Sequence, residues 1–320
     1  MKIGVFTALF GQQPLEQALD YIAASGVEAV EIGTGNYPGD PHCKAKALLE
    51  SAAKRKDFLK AIAGRGLMLS ALSCHGNPLH PNTRLAKTNH EVHRVTVQLA
   101  QKLGVERVIN FSGCPGDSER AKYPNWVTCP WPPDFTEVVQ WQWKEKVIPY
   151  WKEEAGYAKR HGVKICLEMH PGFVVYNPET MLRLRDACGD SIGANFDPSH
   201  LFWQGIDPTA AIRMLRDCIY HVHAKDTHIY DWNTRVNGVL DTKPYSDEKN
   251  RSWIFRTVGY GNSLEVWKDI VSHLRMVGYD FVLSIEHEDS LMSVNEGFQK
   301  AVSFLKQVVI GEPPTAMWWA

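Results

Sequence analysis

The sequence predicts an α/β protein of the TIM (β/α)₈ barrel class, a single domain over residues 1–320 that ends in a tail at 311–320. Three observations predict it. A phrase recurs in which a helical stretch closes on Gly, an apolar residue follows, and a short β-rich run begins. Those runs are nearly continuous in apolar and β-branched residues, as parallel strands covered on both faces must be. Strand–helix alternation repeats eight times, and 320 residues shared over eight units leave 40 for each, which suits a closed barrel. A doubly wound open sheet is the alternative, but no Gly-x-Gly-x-x-Gly follows the first strand.

The elements follow in order. Lys2–Leu9 reads as the first strand; its apolar stretch is short and lacks a cleavage site, so it is not read as a signal peptide. Pro14 opens a helix with Leu15, Leu19 and Ile22 on one face. Gly26-Val27 leads into AVEIG, Gly66-Leu67 into MLSAL, Gly104-Val105 into RVINFS, and Gly162-Val163 into Lys164–Met169. Ser191–Phe196, Ile219–His223 and, after Gly278-Tyr279, FVLSIE complete the eight strands. Each Gly suits the left-handed position that closes a helix. Asn177-Pro178 and Asp207-Pro208 each supply an N-cap followed by Pro at the first helical position. Ser263 starts a helix with Trp267, Ile270, Val271 and Leu274 inward. Two long connections, from about Ser112 to Trp141 and from about Lys225 to Asn262, follow strands four and seven. They show no obvious secondary structure and should rise over the catalytic face as lids or binding loops.

Composition narrows the function. Thirty-five basic residues against 36 acidic ones give a net charge of −1, so nothing electrostatic points to nucleic acid or an anionic membrane. No run approaches the roughly 18 apolar residues of a membrane span. Seven Cys without a Cys-x-x-Cys pair read as reduced, packed thiols, and the expected location is cytoplasmic.

Several strands end in an ionisable side chain. Strand five ends LEMH with Glu168, strand six NFDPSH with Asp197 and His200, and strand eight FVLSIEHE with Glu286. Strand seven, IYHVHAKD, places His221 and His223 on one face. A lone Glu or His of this kind is commonly a salt-bridge or core residue. Four at successive strand ends converge on one point of a barrel. Three carboxylates and an imidazole suit one divalent ion, Mn²⁺ first, then Mg²⁺, Co²⁺ or Zn²⁺. His161, His273 and His287 read as structural or surface residues.

The strand-five LE, the strand-six D-P-x-H, the strand-seven H-x-H-x-K-D and the strand-eight I-E together resemble the sugar phosphate isomerase/epimerase family of xylose isomerase-like barrels. The resemblance covers nearly the whole chain, and Gly259-Tyr260-Gly261 matches the family's Gly-x-Gly before its last helix. It implies metal ligands at Glu168, Asp197, His223 and Glu286, with His200 beside the metal as a substrate contact. It also implies proton removal by one of Glu168 and Glu286 next to a sugar or keto-sugar carbonyl, and proton return by the other, through a metal-stabilised enediolate. His75, Lys225 and Asp226 are expected to orient ligands or touch substrate. Trp126 and Trp232, on the long loops, are expected to offer a face to a sugar ring.

The chain also departs from the smaller ketose epimerases. Where those carry an Arg soon after the strand-seven His, it reads AKDTHIYDW. A lyase or dehydratase acting on a 3-keto-glycoside, like the large subunit of C-glycoside deglycosidases, is therefore an alternative. An endonuclease IV-like nuclease would need three metals and further ligands, including a strand-four His where this chain has NFSG. The tail PPTAMWWA, with Trp318 and Trp319, suggests an association patch for a homo-oligomer or a small partner subunit. A non-catalytic subunit of a complex is the remaining alternative.

Overall fold

The helix-closing glycines become the joints of the barrel. Gly26, Gly66, Gly104, Gly162 and Gly278 hold φ between 66° and 86°, a region that a side chain would strain. The structure is a computed structural model describing residues 1–317 and Trp319. The strands are β1 (Lys2–Phe6), β2 (Ala29–Gly33), β3 (Met68–Ser73), β4 (Arg107–Phe111), β5 (Lys164–Glu168), β6 (Ile192–Phe196) and β7 (Ile219–Ala224). An excursion carries β8 (Asp226–Ile229) and β9 (Trp253–Arg256) before the last barrel strand, β10 (Val282–Ile285). Eight strands close in the order β1-β10-β7-β6-β5-β4-β3-β2, every neighbour parallel.

The helices sit where their caps predict. Asn177 caps Pro178–Cys188 with a reciprocal capping box, and Asp207 caps Pro208–Leu215. Leu264–Met276 buries Trp267, Ile270, Val271 and Leu274, and Leu15–Ala24 buries Leu19 and Ile22, sealing the outer face of the sheet. All seven Cys are free thiols, with Cys129 alone exposed. Among the described residues, no helix is long and apolar enough to cross a membrane.

Three expectations need correction. β1 stops at Phe6 rather than Leu9, because the chain turns into a 3₁₀ segment, Thr7–Phe10, that buries Phe10 against Tyr21 and Phe298. The connection after β7 is not irregular: β8 and β9 pair antiparallel, with a helix at Asp231–Asn237 between them. After β4 the chain is irregular only to Pro132, where the helix Pro133–Trp141 begins. Of the aromatic tail pair, Trp318 lies outside the described residues and Trp319 is exposed.

Asp226 ties the excursion to the barrel. Its Oδ2 accepts backbone N–H groups of Gly259 (3.0 Å), Gly261 (3.2 Å) and Asn262 (3.0 Å), and the indole N–H of Trp267 (3.1 Å). Its Oδ1 takes the Asn262 amide at 2.6 Å and the Thr227 N–H at 2.9 Å. A Cβ at position 261 would collide with the Thr227 carbonyl, so the Gly-x-Gly is the close approach this anchor requires. Asp226→Ala leaves several buried donors unpaired and should destabilise the fold by about 3 kcal/mol. Urea unfolding checks this; a midpoint equal to wild type would show that the anchor contributes nothing.

Candidate metal centre

Side-chain alternation along parallel strands builds the site. Residues two apart face the barrel interior together. The pairs Cys166/Glu168, Asn195/Asp197, His221/His223 and Ser284/Glu286 therefore bring a deeper and an upper residue inward from β5, β6, β7 and β10. Deep inside, Ala71, Ile109 and Cys166 form a separate apolar cluster with Tyr220. Above it the interior turns polar. β2 and β7 are not neighbours in the sheet, so the contact between Glu31 and His223 (3.0 Å) must cross the interior.

At the top, single ligand atoms of Glu168, Asp197, His223 and Glu286 lie within 4.8 Å of one another. His223 Nδ1 stands 3.1 Å from Glu168 Oε2 and 3.1 Å from Glu286 Oε2. Glu168 is the most heavily held: His75 Nε2 (3.2 Å), His200 Nε2 (3.1 Å) and the Asn195 amide (2.9 Å) all reach its carboxylate. His221 Nδ1 in turn meets Asn195 Oδ1 at 3.0 Å and orients that amide. Lys225 Nζ, almost fully buried, contacts Glu286 (2.7 Å), Glu288 (3.0 Å) and Asp197 (3.1 Å).

The electrostatics are those of an anion cluster. Burial pushes Asp197 up to about 6, with Glu168 and Glu286 adding to it against the pull of Lys225. Burial also opposes charge on Glu168, but hydrogen bonds from His200, His223 and His75 outweigh it and hold the carboxyl well below its usual range. Glu286 is lowered too, because Lys225 and His223 overcome its burial. Burial disfavours charge on His223, yet Glu31 and Glu286 hold its imidazole protonated well above the ordinary range. Asp197 Oδ2 is buried and accepts no well-formed hydrogen bond, although Lys225 Nζ and His200 Nε2 lie at 3.1 and 3.3 Å. Three carboxylates, one imidazole and an orphaned carboxylate oxygen fit a hard or borderline divalent ion.

A cleft of about 580 Å³ opens over this cluster, its lining including Phe6, Tyr37, His75, Phe111, His170 and Glu286. Phe111 stacks on Phe173 with centroids 4.4 Å apart, and His170 meets Phe111 edge-on at 4.8 Å. Burial lowers His170 to about 3, so it is a neutral imidazole there.

Not every expected site residue reaches the cleft. Asp226, expected to orient a ligand or touch substrate, has both oxygens saturated by the anchor described above. Trp126 packs edge-on against Tyr176 at 5.5 Å and lines a separate cavity of about 310 Å³. Trp232 is 63% exposed on the Asp231–Asn237 helix. Trp126 packs onto an aromatic cluster of Trp203, Trp253 and Phe255, and neither it nor Trp232 is among the residues lining the cleft. His287, read as structural or surface, joins the cleft wall.

The residues of the site that escaped the sequence reading include Glu31 and His170. Glu31 lies within the AVEIG strand, and an ionisable residue in a strand covered on both faces was the available signal. His170 directly follows the strand-five LEM and carried no pattern of its own.

The family profile described as Xylose isomerase-like TIM barrel matches residues 19–308. The uncharacterized protein YfiH of Bacillus subtilis (strain 168) is 42% identical over 312 residues, covering 97% of this chain and 99% of that one. Among solved structures, 3-keto-D-glucoside 4-epimerase YcjR from E. coli superposes with a TM-score of 0.65 at 14% identity, covering 96% of this chain and 99% of that one. The IolI protein with a bound zinc atom also has a TM-score of 0.65, at 17% identity, with 97% and 98% covered. At these identities the two structures establish likeness of fold.

A divalent ion entering this cluster needs the His223 imidazole neutral, so binding should release a proton and strengthen as pH rises. Calorimetry of Mn²⁺ binding in buffers of different ionisation enthalpy reads the proton directly; binding with no proton exchange would exclude His223 as a ligand. Elemental analysis should find about one ion per chain, lost in Asp197→Ala.

Proposed function

The chain belongs to the xylose isomerase-like TIM barrel family, and from that premise we propose that it is a divalent-metal-dependent isomerase or epimerase of a sugar or keto-sugar. The supporting observation is the convergence of two ionised carboxylates, Glu168 from β5 and Glu286 from β10, on the same His223 nitrogen at 3.1 Å, beneath a cleft that Glu286 lines.

Glu168, Asp197, His223 and Glu286 would hold the ion, Mn²⁺ first, with Zn²⁺, Mg²⁺ or Co²⁺ as alternatives. When bound, it supplies Lewis acidity that polarises a carbonyl and acidifies the neighbouring C–H bond. The protein's own groups do the rest. One of Glu168 and Glu286 takes the proton, leaving the electron pair of the C–H bond in an enediolate; the other, once it has drawn a proton from water in the cleft, returns it to one of the two carbons, and the first gives its proton back to water. Both start ionised, Glu168 through its imidazoles and Glu286 through Lys225, so a proton acceptor is ready near neutral pH. His75 and His200 contact Glu168 and can re-aim its carboxylate as its charge changes. Phe111 and Tyr37 offer apolar faces to the C–H side of a sugar ring, while Glu288 closes Lys225 from the opposite side.

The cleft also argues for an unphosphorylated substrate. No Lys or Arg is among its lining residues, and Lys225, just beneath, is saturated by three carboxylates. A phosphate would meet Glu286 and Glu288 with no side-chain cation in the lining free to pair it. The aromatic wall of Tyr37 and Phe111, the latter backed by Phe173, favours a second reading in which a group carried by the sugar sits there and departs after the same proton abstraction, making a lyase.

Incubation of the metal-loaded protein with unphosphorylated keto-sugars and keto-glycosides in deuterated water should place deuterium next to the carbonyl, read by NMR. Glu168→Gln and Glu286→Gln should each reduce exchange by about 10²-fold or more. Full exchange in both variants would refute the acid/base assignment, and release of a free aglycone would select the lyase. Ketose phosphates should turn over at least about tenfold less efficiently than their unphosphorylated counterparts; equal efficiency would refute the argument from the cleft charges.

A further inference from the structure

We infer that Glu31 is the positioning residue that makes His223 a metal ligand, an inference that rests on the metal-centre reading above. Glu31 comes from β2, which is not a sheet neighbour of any strand that supplies the four candidate ligand groups, and is fully buried. Its two oxygens lie 3.1 and 3.0 Å from His223 Nε2, on the opposite side of the ring from the nitrogen that faces Glu168 and Glu286. The carboxylate is itself fixed: the Ser73 hydroxyl donates to Oε1 from β3, and the Ser284 hydroxyl donates to Oε2 at 2.8 Å from β10. His221 Nε2, 4.0 Å away, is the next nearest charged or titratable contact.

An imidazole has two nitrogens, and a metal needs the lone pair of one of them aimed at it. Glu31 keeps a proton on Nε2, which leaves Nδ1 as the ligand atom and locks the ring plane. Its negative charge also raises the basicity of the ring toward a cation. Stability alone does not account for a carboxylate at this position, since an apolar side chain would fill the interior without the cost of burying a charge. Among the described residues Glu31 is hydrogen-bonded by Ser73, His223 and Ser284, none of which lines the cleft, so its effect on chemistry passes through His223.

The test uses Co²⁺ and the full-length chain. Affinity is measured by chelator competition, the visible absorption of bound Co²⁺ reports its ligand field, and circular dichroism of the metal-free protein reports folding. Wild type should bind Co²⁺. Glu31→Gln, folded as wild type, should bind about 10- to 100-fold more weakly with shifted Co²⁺ bands. In a His223→Gln background the same change should cost nothing further, because the ligand it acts through is gone. Wild-type affinity and bands in Glu31→Gln, or losses that multiply in the double variant, would overturn the inference and leave the metal centre standing. Absence of Co²⁺ binding by wild type would overturn both. Should Glu31→Gln fail to fold, Ser284→Ala removes one support of the carboxylate and should weaken Co²⁺ several-fold; unchanged affinity there overturns the inference equally.

Discussion

Burial of like charge at the mouth of the barrel is the constraint around which the structure is organised. Glu31, Glu168, Asp197 and Glu286 sit inside the barrel, with Glu288 at its rim, and the cations that meet them are Lys225 and a protonated His223. In a low-dielectric interior such an excess of negative charge is tolerable only if each oxygen is paired or a cation shares the space. Among the fully buried carboxylate oxygens of the described residues, Asp197 Oδ2 alone lacks a well-formed hydrogen bond, and it sits where the four candidate ligand groups converge. The same imbalance is the physical basis of the proposal of a divalent ion at the site and an unphosphorylated substrate above it.

That constraint gives the β8–β9 excursion a physical role. Phe255 of β9 lies 4.7 Å from Lys225 Nζ and meets the His200 ring edge-on at 5.2 Å, so the hairpin covers the cluster on that side. Excluding water there strengthens every interaction beneath. Asp226 holds the hairpin in place by gathering the Gly259–Asn262 turn and Trp267 around one carboxylate. A residue that resembles part of the site in sequence thus works as its scaffold, one strand position beyond Lys225.

The barrel itself was largely legible because its signals are local. A glycine that closes a helix, a Pro after an N-cap and an unbroken apolar run each act within a few residues, and the structure places strands and helices at those marks. The end of β1 and the fold of the long connections were less legible. Phe10 is pulled from an extended path by Tyr21 and Phe298, and β8 finds its partner 30 positions on where Asp226 pairs with Arg256, narrowing to 24 where Ile229 pairs with Trp253. These are contacts between distant parts of the chain, which no short window contains.

The site divides along the same line. Glu168, Asp197, His223 and Glu286 stood out in the sequence because each ends a strand, and strand ends of a parallel barrel must gather at one face. What tertiary structure alone decided is which other groups meet them. Glu31 lies 192 positions from the histidine it holds, and the two are joined only because the sheet closes and strands that are not neighbours face one another across a narrow interior. Asp226 and Lys225 are sequence neighbours whose side chains alternate in direction, so one enters the charge cluster and the other leaves it. Sequence by itself determined the barrel, its strand ends and the donor types gathered there. Closure of the sheet decided their partners, because a partner is a matter of distance in space and not of spacing along the chain.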